Sequence, residues 1–106
     1  VAAGRAYGLD VIDGVYNNLS DAEGFIAECE QGRDLGMDGK TLIHPNQLDG
    51  ANRIFSPSEA EVAQAEKILA AFALPENASK GVISLDAEMA ERTVAIARAI
   101  AAAAGA

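Results

Sequence analysis

Three polar positions in this chain each follow directly on a short apolar run. Asp13-Gly14 follows Leu9–Ile12, His44-Pro45 follows Thr41–Ile43, and Asp86 follows Val82–Leu85. In parallel α/β folds ligands collect beyond the carboxyl ends of strands, because loops there vary while the strands hold them rigidly. A carboxylate delivered from an apolar strand can act as a general base once substrate excludes water. Each residue also has a plain structural use. Asp before Gly is turn chemistry, a His before Pro can cap a strand or bond a backbone carbonyl, and Asp86 can serve as N-cap of a following helix. The chain has one His and one Cys and no HxH, HExxH or CxxC spacing, so a metal site built wholly from these residues is not expected. Cys29 falls in a helical pattern and reads as a packed, inert thiol.

The elements that must position these groups follow from periodicity and punctuation. Val1 to Tyr7 reads as the end of a helix closed by Gly8. Leu9–Ile12 and Thr41–Ile43 read as buried strands, and between them a helix with Ser20 as N-cap and Glu23 completing a capping box carries Phe25, Ile26, Cys29 and Leu35 on one stripe up to Gly36. Strand, helix and strand at this spacing make a right-handed βαβ unit with a parallel pair. A parallel sheet buries both faces, and two strands cannot make one alone, so these strands need partners. A short helix follows from Gln47 to Ile54. Another is expected with Ser56 as N-cap, Pro57 at its first position and Glu59 in its first turn, burying Val62, Ala65, Ile68, Leu69 and Phe72. After a linker from Leu74 to Lys80 comes a strand over Gly81–Leu85, and then an Ala-rich helix from about Glu88 to Ala103 with Met89, Val94, Ile96 and Ile100 on its apolar face.

Half of the 106 residues are hydrophobic, which supports a real core, and the shortage of aromatics favours close packing of helix and strand on small side chains. Sixteen acids against eight bases give a net charge of −8, which argues against nucleic acid or an anionic membrane surface as the main partner. No uncharged run is long enough to span a bilayer. No basic stretch followed by an apolar one opens the chain, so the cytoplasm is the expected compartment.

Read in order, AAGRAYGLDVIDGVYNN, then DAEGF and GRDLGMDGKTLIHPNQL, then IFSPSEAEVAQAEKIL and GVISLDAEM resemble the C-terminal stretch of the HpcH/HpaI aldolase and citrate lyase superfamily, in its citrate lyase β-subunit and malyl-CoA lyase branch. The specific signal is the combination of G-[KR]-x-x-I-H-P-x-Q with a later F-[ST]-P-[ST]. The resemblance implies an α/β fold: the last two units of a (β/α)₈ barrel over residues 1–56, with Leu9–Asp13 and Lys40–His44 as the seventh and eighth strands, and a mainly helical extension over 57–106 that reaches a neighbouring subunit of a trimer or hexamer. It implies a Mg²⁺-dependent oxo-acid lyase that makes or breaks a carbon–carbon bond between an acyl-CoA enolate and a keto acid, with the metal ligands outside this segment.

On the same resemblance Asp86 is the catalytic base, Ile43, His44 and Pro45 lie on the coenzyme A side, and Asp13 and Gly14 shape the barrel mouth. Where the family follows its aspartate with glycine and a basic residue, this chain has Ala87 and Glu88, which bears on the turn and on contact with CoA phosphates. A malyl-CoA thioesterase of the same family is a close variant. A non-catalytic partner-binding module is the alternative from another class.

Overall fold

The computed structural model describes residues 1–86 and 88–91. The chain forms two compact units that divide between Phe55 and Ser56. Among the described residues, no helix is long and apolar enough to cross a membrane.

The first unit runs α1 (Ala2–Ala6), β1 (Ile12–Asp13), α2 (Ala22–Leu35), β2 (Gly39–Lys40), a 3₁₀ turn over Pro45–Gln47, and α3 (Leu48–Phe55). β1 and β2 pair in parallel with Ile12 opposite Gly39 and Asp13 opposite Lys40, so the unit is β-α-β as expected. The ladder is shorter than the apolar runs suggest and is displaced from them. On the first strand, a side chain has taken over the Val11 N–H, while Val11 O still accepts the Asp38 backbone N–H at 2.8 Å. The Arg5 guanidinium grips Asp38 through two bonds of 2.8 and 2.9 Å, and Asp38 Oδ2 in turn accepts the Val11 N–H at 2.7 Å. On the second, the pairing ends when the Thr41 N–H reaches Asp13 O at 3.0 Å, because the first strand turns away at Gly14. The Ile43 N–H then goes to the Gln47 side chain instead of a neighbouring strand.

α2 is capped by Asp21, one residue later than expected. Asp21 Oδ1 accepts the Gly24 N–H at 2.9 Å, while Oδ2 accepts the Tyr16 hydroxyl at 2.7 Å. Ser20 bonds Asn18. A Cβ on Gly24 would lie 2.2 Å from both Asp21 Oδ2 and the Tyr16 oxygen, so only glycine admits this doubly used cap. The other end closes on Gly36 at φ 96, with the Met37 N–H returning to Gly32 O at 2.9 Å. That left-handed closure is what a glycine just past a helix permits. The core of the unit joins Phe25 and Cys29 of α2 to Ala51 and Ile54 of α3, with Tyr16, Ile26, Leu42 and Phe55 packed around them. Leu35, expected on the buried stripe, is the last residue of α2 and is 58% exposed. Leu9, Ile12, Val15, Ile43 and Leu48 are also exposed.

The second unit opens with α4 (Glu59–Phe72). Its cap is Ser58, not Ser56. The Ser58 Oγ accepts the Glu61 N–H at 3.1 Å, so the serine-to-glutamate spacing of a capping box is satisfied two residues further on, after Pro57. Ala65, Ile68 and Phe72 are buried as expected, while Val62 and Leu69 are half-buried. Past a 3₁₀ turn at Pro75–Asn77, β3 (Val82–Leu85) pairs antiparallel with β4 (Glu88–Glu91), from Val82 opposite Glu91 to Leu85 opposite Glu88. Glu88–Glu91 was expected to begin a helix, and its residue types favour one. The pairing prevails because Ile83 and Ala90, directly opposite each other, both bury against Ile68 and Phe72. The rest of the expected final helix lies outside the described residues.

Candidate functional site

The carboxyl end of the parallel pair is built around Lys40, whose side chain has no exposed surface. Its Nζ donates to Asp13 Oδ2 at 3.1 Å, Glu28 Oε2 at 2.5 Å and Gly14 O at 2.7 Å. An ammonium has three donors, and here each has an acceptor. Burial alone pulls the Lys40 pKa down, but the bonds to Glu28 and Asp13 outweigh it and leave it above the ordinary 10.5. Asp13 keeps its turn role as well, since Oδ1 accepts the Gly14 N–H at 2.9 Å. Asp13 and Gly14 therefore do stand together at a strand end, but as members of an ion cluster that rivets β1, β2 and α2. The adjoining Cys29 is fully buried, and burial pushes its thiol pKa upward, away from a reactive thiolate.

Ile43, His44 and Pro45 come together with Leu42 and Leu48 along a shallow apolar groove of about 260 Å³. The His44 Nδ1 accepts the Asn46 N–H at 3.1 Å, so the imidazole caps the turn that Pro45 opens and its remaining donor is Nε2. The residue that sequence reasoning missed here is Gln47. Only 4% exposed, it accepts the Ile43 N–H at 3.0 Å and donates to Tyr16 O at 3.2 Å. The pattern G-K-x-x-I-H-P-x-Q thus describes a scaffold. Gly39 and Lys40 end the ladder, His44 and Pro45 start the turn, and Gln47 ties that turn back to both flanking segments. The fixed spacing of the pattern was the signal that could have singled out Lys40 and Gln47.

Asp86 occupies the turn between β3 and β4, at φ 51. A left-handed backbone is uncommon for a residue other than glycine, and aspartate is among the few that tolerate it in hairpin turns. The carboxylate is therefore not the N-cap of a following helix. Nor is it desolvated as the strand reading suggested: its side chain is 65% exposed and forms an ion pair with Lys67 of α4. Asp13, His44 and Asp86 fall in two separate units, Asp86 in the second.

Among the described residues no group of three or more His, Cys, Asp or Glu side chains is placed to hold a metal ion. The nearest approach, Asp13 with Glu28, already encloses the Lys40 ammonium, a cation in the position a metal would need. These residues do not fit a Mg²⁺ site.

The family model HpcH/HpaI aldolase/citrate lyase matches residues 1–45, which include β1, α2, β2 and the start of the His44 turn. A (3S)-malyl-CoA thioesterase of Cereibacter sphaeroides is 52% identical over 108 residues, covering 94% of this chain and 38% of that protein. An L-malyl-CoA/beta-methylmalyl-CoA lyase of Rhodobacter capsulatus is 49% identical over 71 residues, covering 67% of this chain and 22% of that protein. In three dimensions the chain resembles protein CitE from Mycobacterium tuberculosis, solved in complex with magnesium, acetoacetate and coenzyme A. The TM-score is 0.73 at 26% identity, covering 96% of this chain and 38% of that one. The chain thus spans about two fifths of the length of the thioesterase it matches.

Proposed function

The chain belongs to the HpcH/HpaI aldolase/citrate lyase family, and we propose that the protein carrying it acts on β-hydroxyacyl-CoA thioesters, cleaving or forming the carbon–carbon bond beside the thioester. The observation that supports this most directly is the similarity of nearly the whole chain to a malyl-CoA thioesterase, and of two thirds of it to a malyl-CoA lyase; Asp86, exposed on the turn of a paired hairpin, is the base we propose for it. In cleavage, Asp86 takes the proton of the substrate hydroxyl. The carbon bearing that oxygen becomes a carbonyl, the bond to the α-carbon breaks, and its electron pair passes into the thioester enolate, which is then protonated. In the forming direction the same carboxylate removes the α-proton.

A second reading is favoured by the 52% identity to a malyl-CoA thioesterase along nearly the whole chain. There the carboxylate takes a proton from water, the oxygen attacks the thioester carbonyl, and CoA leaves as the thiol. Both readings use the same base and the same CoA ester.

The proposal extends to the fold. β1 and β2 are the last two strands of a (β/α)₈ barrel, and the second unit is an extension that serves a neighbouring subunit in a trimer or hexamer. Support comes from the exposure of Leu9, Ile12 and Ile43 beside a parallel pair, since parallel sheets in proteins are covered on both faces. Dependence on Mg²⁺, held outside the described residues, is also part of the proposal, supported by the magnesium in the CitE complex. The groove at Ile43, His44 and Pro45 is proposed for the apolar part of the CoA arm.

Incubating the full-length protein with (3S)-malyl-CoA and separating the products by mass spectrometry tests this. Acetyl-CoA with glyoxylate identifies the lyase, and malate with free CoA identifies the thioesterase. Intact substrate, with citramalyl-CoA also untouched, refutes both and leaves a partner-binding module.

A further inference from the structure

Lys67 lies on α4, nineteen residues before Asp86, and its ammonium meets Asp86 Oδ2. Among the described residues, Oδ1 of the same carboxylate accepts no hydrogen bond. Both side chains are about half or more exposed, so as a surface ion pair the contact stabilises the fold little. Its consequence is geometric. Asp86 sits at φ 51 in a hairpin turn, and a carboxylate there is free to rotate unless something holds it.

α4 supplies that hold from a rigid element. Ile68, the residue after Lys67, is buried against Ile83 of β3, so the helix and the hairpin share one core beneath the pair. We infer that Lys67 is a positioning residue for Asp86: it fixes Oδ2 and leaves Oδ1 as the oxygen that exchanges a proton with substrate. This rests on the reading of Asp86 as the base. It adds that the extension carries a two-residue device, a base and the ammonium that aims it, on separate elements of one unit. General-base efficiency is sensitive to placement, and errors on the order of 1 Å can cost about a hundredfold in rate.

The experiment uses full-length protein and malyl-CoA, with kcat and KM measured for Lys67→Gln, Lys67→Glu, Lys67→Arg, Asp86→Asn and the double variant Lys67→Gln/Asp86→Asn. The expected result is a kcat lowered roughly ten- to a hundredfold in Lys67→Gln, a larger loss in Lys67→Glu, where like charges push the carboxylate away, and recovery in Lys67→Arg, all with KM little changed. In the Asp86→Asn background, Lys67→Gln then adds nothing to the residual rate.

A kcat for Lys67→Gln equal to the parent, while Asp86→Asn is inactive, overturns the inference and leaves the reading of Asp86 standing. A full additional loss in the double variant also overturns it, because Lys67 would then act independently of Asp86. Full turnover by Asp86→Asn removes both. Thermal melts of each variant separate a loss of fold from a loss of aim, and a melting temperature that falls in step with kcat across the series counts against positioning.

Discussion

Lys40 shows how a single side chain can hold three elements. Its ammonium reaches back 12 residues to Glu28 and 27 to Asp13, and its side chain is fully covered. Replacing it with Met leaves two carboxylates facing each other without their cation. The expected destabilisation is about 2–4 kcal/mol, at or below the usual cost of breaking a buried pair because Asp13 and Glu28 retain some exposure. Lys40→Arg should lose less. The pH dependence has a definite sign. Because the folded pKa lies above 10.5, the contribution of Lys40 is complete below that value and is lost as pH rises through the folded one. Urea titrations should therefore show the parent weakening above about pH 10.5 while Lys40→Met stays comparatively flat there. Equal stability of parent and Met variant at pH 8 would contradict this role. Nothing in the residue type announced it, since a lysine at the end of a short apolar run is more often a solvated one.

Gln47 does at the element scale what a ladder would otherwise do. Beyond Thr41, whose N–H bonds Asp13 O, the second strand pairs with no other strand among the described residues, and the Gln47 side chain satisfies the Ile43 N–H and ties it to Tyr16 O. Gln47→Ala leaves one buried donor and one acceptor open and should cost about 1–3 kcal/mol. The Ile43 amide should become markedly faster in hydrogen exchange while α3 stays protected; unchanged exchange at Ile43 would mean that another group holds that segment.

The helices were legible from sequence because their apolar residues recur with helical period. Phe25 with Cys29, and Ala65 with Ile68 and Phe72, are buried as read. The caps moved by one and two residues because neighbouring polar residues compete for the same N–H groups. Asp21 displaced Ser20 by also bonding Tyr16, and Ser58 displaced Ser56 by pairing with Glu61. The strands were less legible because their limits are set by side chains distant in sequence. The Asp38 side chain, held by Arg5, takes the Val11 N–H, and the packing of Ile83 and Ala90 turns a helix-favouring stretch into β4. Asp86 was read correctly as a carboxylate following a strand. Its hairpin and its partner Lys67 depended on contacts that periodicity does not encode.

At the scale of the whole molecule, the chain has two units with separate cores. One places a buried ion cluster and an apolar groove at the end of a parallel strand pair, and the other presents Asp86 on a hairpin. The first unit leaves Leu9, Ile12 and Ile43 uncovered beside its parallel pair, which supports the proposal that β1 and β2 belong to a larger sheet. The proposed division of labour follows: binding surfaces are assembled around the strand ends, and proton transfer is assigned to the carboxylate of the extension. The most direct test is Asp86→Asn in the full-length protein, with malyl-CoA turnover and CoA affinity measured on the same preparation. The role of Asp86 as the base predicts turnover reduced on the order of 10²–10⁴-fold with CoA affinity unchanged. Turnover equal to that of the parent would contradict it.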